Sequence, residues 1–309
     1  MMQPTQKTRP VRRLMSLVAA AAGASLLLTG CVNNEAASSG EGAGASQEAK
    51  IEVSKSETAS ALVPDDVRSS GVLKVGTDAT YAPNQYAGAD GQPVGWEVEL
   101  VEAVAAKLDL KVEWSKLGFD QIIPQVTGGT LNMGSSSFSD TLERQKSVDF
   151  VDFYSAGLQF VRGADEDPLP ESLCGLTIGA QATTTSDDYL KAASEECSKE
   201  GKEPIQILKK DGQDEATNDV VLGNTPYMLA DSPIAQNSVK VAGDSVALEG
   251  DVFDAAPYGL VLAKDSEMTE AVRVAMQELM DDGTYTKILE KWGVEDGAFT
   301  EAKVNSVTE

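Results

Sequence analysis

Val72-Leu73-Lys74-Val75-Gly76, then Trp96 to Leu108, then Lys111-Val112-Glu113-Trp114: these three runs decide the fold. The first and last are short and β-rich. Between them Val98, Val101, Val104, Ala105 and Leu108 recur at helical spacing and make one apolar face. Strand, helix and strand in succession predict a parallel α/β unit. The pattern continues outward. Phe119 to Val126 is predicted helical, ending near Gly128-Gly129, and Leu131-Asn132-Met133-Gly134 is a further strand. Leu176-Thr177-Ile178-Gly179 and Tyr227-Met228-Leu229-Ala230 are two more strands. A helix from about Met268 to Asp282 stops at Gly283, and a last one runs to Trp292.

Ligands of open α/β sheets bind beyond the carboxyl ends of the strands. Those ends are polar here. They carry Thr77-Asp78-Ala79-Thr80-Tyr81, Ser135 to Arg144, Gln181 to Asp188, and Asp231-Ser232-Pro233. Each of the last three is expected to open a helix. Asp140 with Glu143 and Thr185 with Asp188 have capping-box spacing, and Pro233 suits a first turn. Helix N-termini favour carboxylates. Arg144 offers a bidentate partner for a carboxylate, and Asp231 can take an ammonium. Tyr81 and Phe119 can sandwich a side chain. Taken singly, each of these residues is an ordinary cap, surface ion pair or core aromatic; their convergence on the chemistry of a zwitterion is what singles them out.

Composition narrows the classes. The chain has 309 residues, enough for two lobes, and contains no histidine. Ser-His-Asp and Cys-His nucleophilic chemistry and histidine metal sites are therefore excluded. With 49 Asp and Glu against 25 Lys and Arg, nucleic acid is not an expected partner. No metal, cofactor or catalytic residue is expected.

The N-terminus has a basic region (Lys7, Arg9, Arg12, Arg13) followed by an apolar stretch from Leu14 to Leu28, short for a membrane span. It closes on Leu28-Thr29-Gly30-Cys31, similar to the bacterial lipobox. Residues 1–30 are thus expected to be a lipoprotein signal peptide and Cys31 the lipidated residue. Residues 31–66 are expected to form a flexible tether, because stretches such as Ala36-Ala37-Ser38-Ser39-Gly40-Glu41-Gly42 cannot build a core. Export favours a disulfide between Cys174 and Cys197, with two free thiols as the alternative.

From Val67 to Thr300 the chain closely resembles the family 3 extracellular solute-binding proteins, which serve polar amino-acid ABC importers. Gly76-Thr77-Asp78-Ala79-Thr80-Tyr81-Ala82-Pro83 looks like the family's first ligand loop. Gly95-Trp96-Glu97-Val98-Glu99-Leu100 is similar to its Gly-Phe-Asp-Val-Asp-Leu signature. Ser137 to Arg144 with Val148-Asp149-Phe150, Ala182-Thr183-Thr184-Thr185, Leu229-Ala230-Asp231-Ser232-Pro233, Asp282-Gly283-Thr284-Tyr285 and Lys291-Trp292-Gly293 match further motifs.

The resemblance implies a two-lobed, type II periplasmic-binding-protein-like α/β fold. Lobe I would be 67–160 plus 257–309 and lobe II 161–256, joined by two crossing strands. It also implies site roles. Arg144, Ser139 and Thr185 would bind the ligand carboxylate, Ser137 and Asp231 would receive the ammonium, and Thr184 would be a further ligand-binding residue. Tyr81 and Phe119 would flank the side chain, with Asp78 near it. Two positions depart from the family pattern. Asn84 replaces a common Phe beside the pocket wall, and Thr183 replaces a Gly. The implied ligand is a polar amino acid, ranked basic first, then neutral such as glutamine, then acidic. The implied partner is an ABC permease in the cell membrane, for a monomeric, lipid-anchored, extracytoplasmic protein. A ligand-presenting sensor, or a dehydratase or lytic enzyme on the same fold, are the alternatives.

Overall fold

A computed structural model describes residues 51–308. The expected signal peptide, the lipidation site Cys31 and the first part of the expected tether lie outside those residues.

The elements in chain order are α1 (Glu57–Ala61), α2 (Asp65–Ser70), β1 (Val72–Thr77), β2 (Thr80–Tyr81), β3 (Gln85–Ala87), β4 (Pro93–Val94), α3 (Trp96–Lys107), β5 (Lys111–Lys116), α4 (Phe119–Thr127) and β6 (Met133–Ser139). There follow β7 (Val148–Gly163), β8 (Thr177–Gln181), α5 (Thr185–Lys199), β9 (Gln206–Lys210), α6 (Gln213–Val221), β10 (Tyr227–Asp231) and α7 (Ser232–Ala242). The chain closes with β11 (Val246–Ala263), α8 (Met268–Asp281), α9 (Thr284–Trp292) and β12 (Ala298–Val304).

One sheet has the order β5-β1-β6-β11-β7-β10-β8-β9, with β12 added on β7. Its two ends are parallel: β5-β1-β6 on one side, β10-β8-β9 on the other. Its middle is antiparallel, because β7 and β11 run through both halves and pair along most of their length. That pairing slips between Glu249 and Phe253, between Phe253 and Ala256, and between Tyr258 and Gly259. Such irregularities bend a strand pair and interrupt its ladder. The apolar interior divides on either side of them. One set is built by residues such as Leu73, Val104, Phe153, Leu260 and Leu279, the other by Leu158, Phe160, Ile178, Leu190 and Leu229. The fold is therefore two α/β lobes sharing one sheet.

Two glycines position the first lobe's ligand-facing end. Gly76 of β1 is in register with Gly134 of β6. A Cβ at Gly76 would meet Leu131 at 2.5 Å, and one at Gly134 would meet Ile122 of α4 at 2.7 Å. Only hydrogen at both positions lets α4 lie this close to the sheet, which brings Phe119, its first residue, to the strand ends.

Three expectations need correction. Residues 51–66 do not continue the tether. Ser56 caps α1, its N–H bonds Lys107 O at 2.9 Å, and its hydroxyl bonds Glu278 at 2.7 Å. Ala59, Val63 and Val67 repeat every fourth residue and are buried in the first core. The local Gly-Ser-Glu composition upstream masked that stripe. Next, Ser135–Ser139 is strand, buried throughout, and Arg144–Lys146 is only a 3-10 turn with no side-chain cap. The Asp140/Glu143 capping box does not form. Asp140 instead accepts from Gln145 at 2.8 Å and from Val307 N at 3.2 Å. Finally, the cap of α5 is one residue earlier than expected. Thr184 caps it and accepts from Asp187 N at 3.3 Å.

Cys174 and Cys197 form the expected disulfide, tying the segment before β8 to the last turns of α5. Its loop closure should contribute about 3 kcal/mol in the chain-entropy model. The cleft-facing start of α5 lies some three turns away from the bridge. We therefore expect the Cys174→Ser/Cys197→Ser protein to lose about 3 kcal/mol in urea unfolding while keeping its ligand affinity within about two-fold.

Candidate functional site

The C-terminal ends of β1, β6, β8 and β10 meet in one cleft, closed down to a cavity of about 10 Å³. Asp78, Tyr81, Phe119, Ser137, Ser139, Arg144, Thr184, Thr185 and Asp231 all line it, joined by Ser136 and Gln181. Every residue predicted to contact ligand is thus brought to the same place. Ser136 and Gln181 had no predicted role. Gln181 ends β8 just as Asp231 ends β10, and that shared strand-end position was the signal available for it.

Arg144 comes from the first lobe. Its guanidinium donates to Ser139 O at 2.9 Å and, across the cleft, to Thr183 O at 3.3 Å. It sits 5.5 Å from the ring centres of both Phe119 and Phe138, which stack on each other 4.5 Å apart. Burial pushes its pKa down, and Asp231 and Asp188 oppose that. No ion pair to Arg144 forms among the described residues. This guanidinium is packed and aimed, but lacks an anion.

Asp231 comes from the second lobe and is 6% exposed. It occupies the N-cap position of α7 without making a cap bond. It accepts instead from Tyr258 OH at 2.6 Å and from the Tyr81 hydroxyl. Burial raises its pKa; the tyrosine bonds and Arg144 pull it back. Asp78, 5% exposed, has its pKa pushed up to about 6 by burial, against hydrogen bonds from Gln181 and Thr80. No cation pairs with it among the described residues. Two carboxylates and one guanidinium therefore face one small cavity, and none is neutralised by another.

The remaining residues divide by what they already hold. The Ser137 hydroxyl donates to Glu97 at 2.7 Å and accepts from Asn84 at 2.8 Å, so it is already engaged within its own lobe. Thr184 Oγ1 is spent on Gln181 O at 2.8 Å and on Asp187 N. Thr185 is the first residue of the 15-residue α5, whose N-terminal N–H groups suit a carboxylate.

Both departures from the family pattern have a structural account. Asn84 is not part of the cleft wall. It is fully buried, accepts from Trp96 Nε1 at 2.7 Å and donates to Ser137. Behind it Glu97 is completely buried, with no cation paired to it among the described residues. It receives Ser135 Oγ at 2.6 Å and both the N–H and the hydroxyl of Ser137. Burial raises Glu97's pKa, and those serine bonds partly reverse the shift. Thr183 has φ of 65°, the left-handed region that glycine enters freely and a β-branched residue rarely does. The loop keeps its shape because Thr183 N is held by Asp187 at 3.1 Å and Thr183 O by Arg144.

The buried acids give a pH signature. In the folded state Asp78, Glu97 and Asp231 all hold a proton more readily than when unfolded. Asp152 does too, through burial and the neighbouring Asp140. Where the native state binds more protons, stability falls as pH rises. For Asp78 the window runs from its ordinary value of 3.8 to about 6. We expect the ligand-free protein to unfold at higher urea at about pH 5 than at about pH 7.5. A flat or opposite trend between those values would contradict these assignments.

Comparison with known proteins locates this cleft in a wider group. A model of the bacterial extracellular solute-binding proteins, family 3, matches residues 73–295. The arginine-binding protein ArgT of Corynebacterium glutamicum is 37% identical over 248 residues, 79% of this chain and 82% of that one. An ancestral arginine-binding protein solved with arginine superposes with a TM-score of 0.67 at 32% identity, covering 72% of this chain and 98% of that one. An ancestral amino-acid-binding protein described as a precursor of cyclohexadienyl dehydratase superposes with a TM-score of 0.66 at 31% identity, covering 74% and 98%.

Proposed function

Starting from the fact that this chain belongs to the bacterial extracellular solute-binding proteins, family 3, we propose that it captures a cationic amino acid, arginine foremost, and delivers it to an ABC permease. The observation that carries this is the charge layout of the cleft. Arg144 on one lobe and Asp231 on the other fit the carboxylate and ammonium of a zwitterion. Asp78 is a third charge left over for a cationic side chain. Tyr81 and Phe119 wall the space between. The two relatives described as arginine-binding support the choice of ligand. Relatives that bind rather than transform their ligands support a binding role.

The ligand grips both lobes, so it favours the closed form by differential affinity. Residues 67–160 with 257–309, and 161–256, are the two moving bodies in this reading, with β7 and β11 as the hinge. The slipped pairing of those strands supplies the bend. In this reading residues 1–30 act as a signal sequence, and a lipid on Cys31 would anchor a monomeric protein outside the cytoplasmic membrane, near its permease. Two acyl chains hold stably where one does not.

Calorimetry tests the ligand assignment. Arginine should bind with micromolar or better affinity and glutamate should not. Arg144→Ala should cost at least about 100-fold, the scale of two lost charge-assisted bonds. Asp78→Asn should weaken arginine by about 10-fold or more and leave glutamine nearly unchanged. Arginine affinity should also fall as pH drops below about 6, because a proton on Asp78 competes with the ligand cation. Equal affinity of the wild type for arginine and glutamate would refute the reading. Separately, Cys31→Ala should move the protein from the membrane fraction to the soluble one.

A further inference from the structure

Two buried acids bracket Arg144 along the chain. Asp140 directly follows β6 and is 1% exposed; Asp152, on β7, is fully buried. Neither has a cation partner among the described residues. Asp140 accepts from Gln145 Nε2 at 2.8 Å and from Val307 N at 3.2 Å, and Asp152 Oδ2 accepts from Ser306 N at 2.9 Å. Asp152 Oδ1 receives no donor among the described residues, and a Cβ on Gly259, its neighbour on β11, would stand 2.7 Å from it. Two buried carboxylates side by side cannot both stay ionised. The arrangement is complete when Asp152 carries a proton and donates it to Asp140.

The segment after β12 closes this pair off. Asn305 N donates to Phe150 O at 3.1 Å, its Oδ1 accepts from Phe150 N at 2.9 Å, and its Nδ2 donates to Asp149 at 2.8 Å. Ser306 and Val307 supply the main-chain donors to the two acids, and Val307 O accepts from the Gln145 amide at 2.9 Å. Gln145 is the residue next to Arg144. We propose that Asn305, Ser306 and Val307 are positioning residues for ligand capture: with the Asp140–Asp152 pair they fix the turn from Asp140 to Gln145 and so hold Arg144 on the ligand carboxylate. The assignment rests on the carboxylate role given to Arg144 above. The charged groups on the surrounding elements are paired elsewhere. Asp149 holds Lys264, Lys146 holds Glu143, Lys303 of β12 holds Glu301, and Arg273 of α8 holds Glu270. A proton on Asp152 is therefore what keeps the two acids together, and burial, with Asp140 beside it, pushes its pKa up to about 7.

Calorimetry of arginine binding tests this through a double-mutant cycle. Val307→Pro, which removes the N–H given to Asp140, should weaken arginine binding by about 5-fold or more. In an Arg144→Ala background the same change should cost less than about two-fold, because the segment acts through Arg144. Wild-type affinity should also fall by about 5-fold between about pH 7 and about pH 8.5, as Asp152 loses its proton. Asp152→Asn, whose amide keeps a donor for Asp140, should abolish that fall. Should Val307→Pro fail to fold, Asn305→Gly, which suits the φ of 51° at that position, should give the same non-additive loss. Full additivity with Arg144→Ala, no loss at all, or a pH fall that persists in Asp152→Asn would overturn the assignment alone. An Arg144→Ala protein that binds arginine as the wild type does would overturn it together with the carboxylate reading.

Discussion

The cleft works because Arg144 and Asp231 face the same space without pairing with each other. Direct contact would let the two lobes neutralise themselves and leave nothing for a zwitterion. Each is held off by its own lobe. Asp231 is tied to Tyr258 and Tyr81, while Arg144 is pinned by Ser139 O and packed against Phe119 and Phe138. Burying charges without partners costs several kcal/mol each. The rest of the fold supplies that cost through its two apolar cores, and a bound ligand recovers part of it.

Much of the molecule exists to hold these side chains at strand ends. Glu97 is the least expected contributor. It sits at the start of α3, never reaches the cleft, and gathers Ser135 and Ser137 so that β6 can continue as far as Ser139. Asn84 links that cluster to Trp96. The Gly95-Trp96-Glu97 motif is therefore a scaffold for the Arg144 segment rather than a ligand contact. Gly76 and Gly134 do the equivalent job for Phe119 by letting α4 settle on the sheet.

Much of this was legible in the sequence. Runs such as Val72 to Gly76 and Tyr227 to Ala230 are strands by composition, and the polar residues after them point to the site. What failed was local reading of non-local structure. Ser135 to Ser139 has low strand propensity and no alternation, since both faces are buried; its pairing with β11 and Glu97 makes it a strand. Ala59, Val63 and Val67 were hidden beneath a tether-like composition. The strands β2 to β4, two or three residues each, lack the length to show a period. Gln181 escaped notice because its partner, Asp78, lies 103 residues away on the opposite lobe.

Comparing arginine with its decarboxylated form, agmatine, tests the zwitterion grip most directly. Agmatine keeps the guanidinium for Asp78 but gives Arg144 nothing to hold. If the cleft closes on both ends of an amino acid, calorimetry should find arginine bound at least about 100-fold more tightly. Comparable affinities for the two would mean that Arg144 does not receive the carboxylate, and the account built on it would fall.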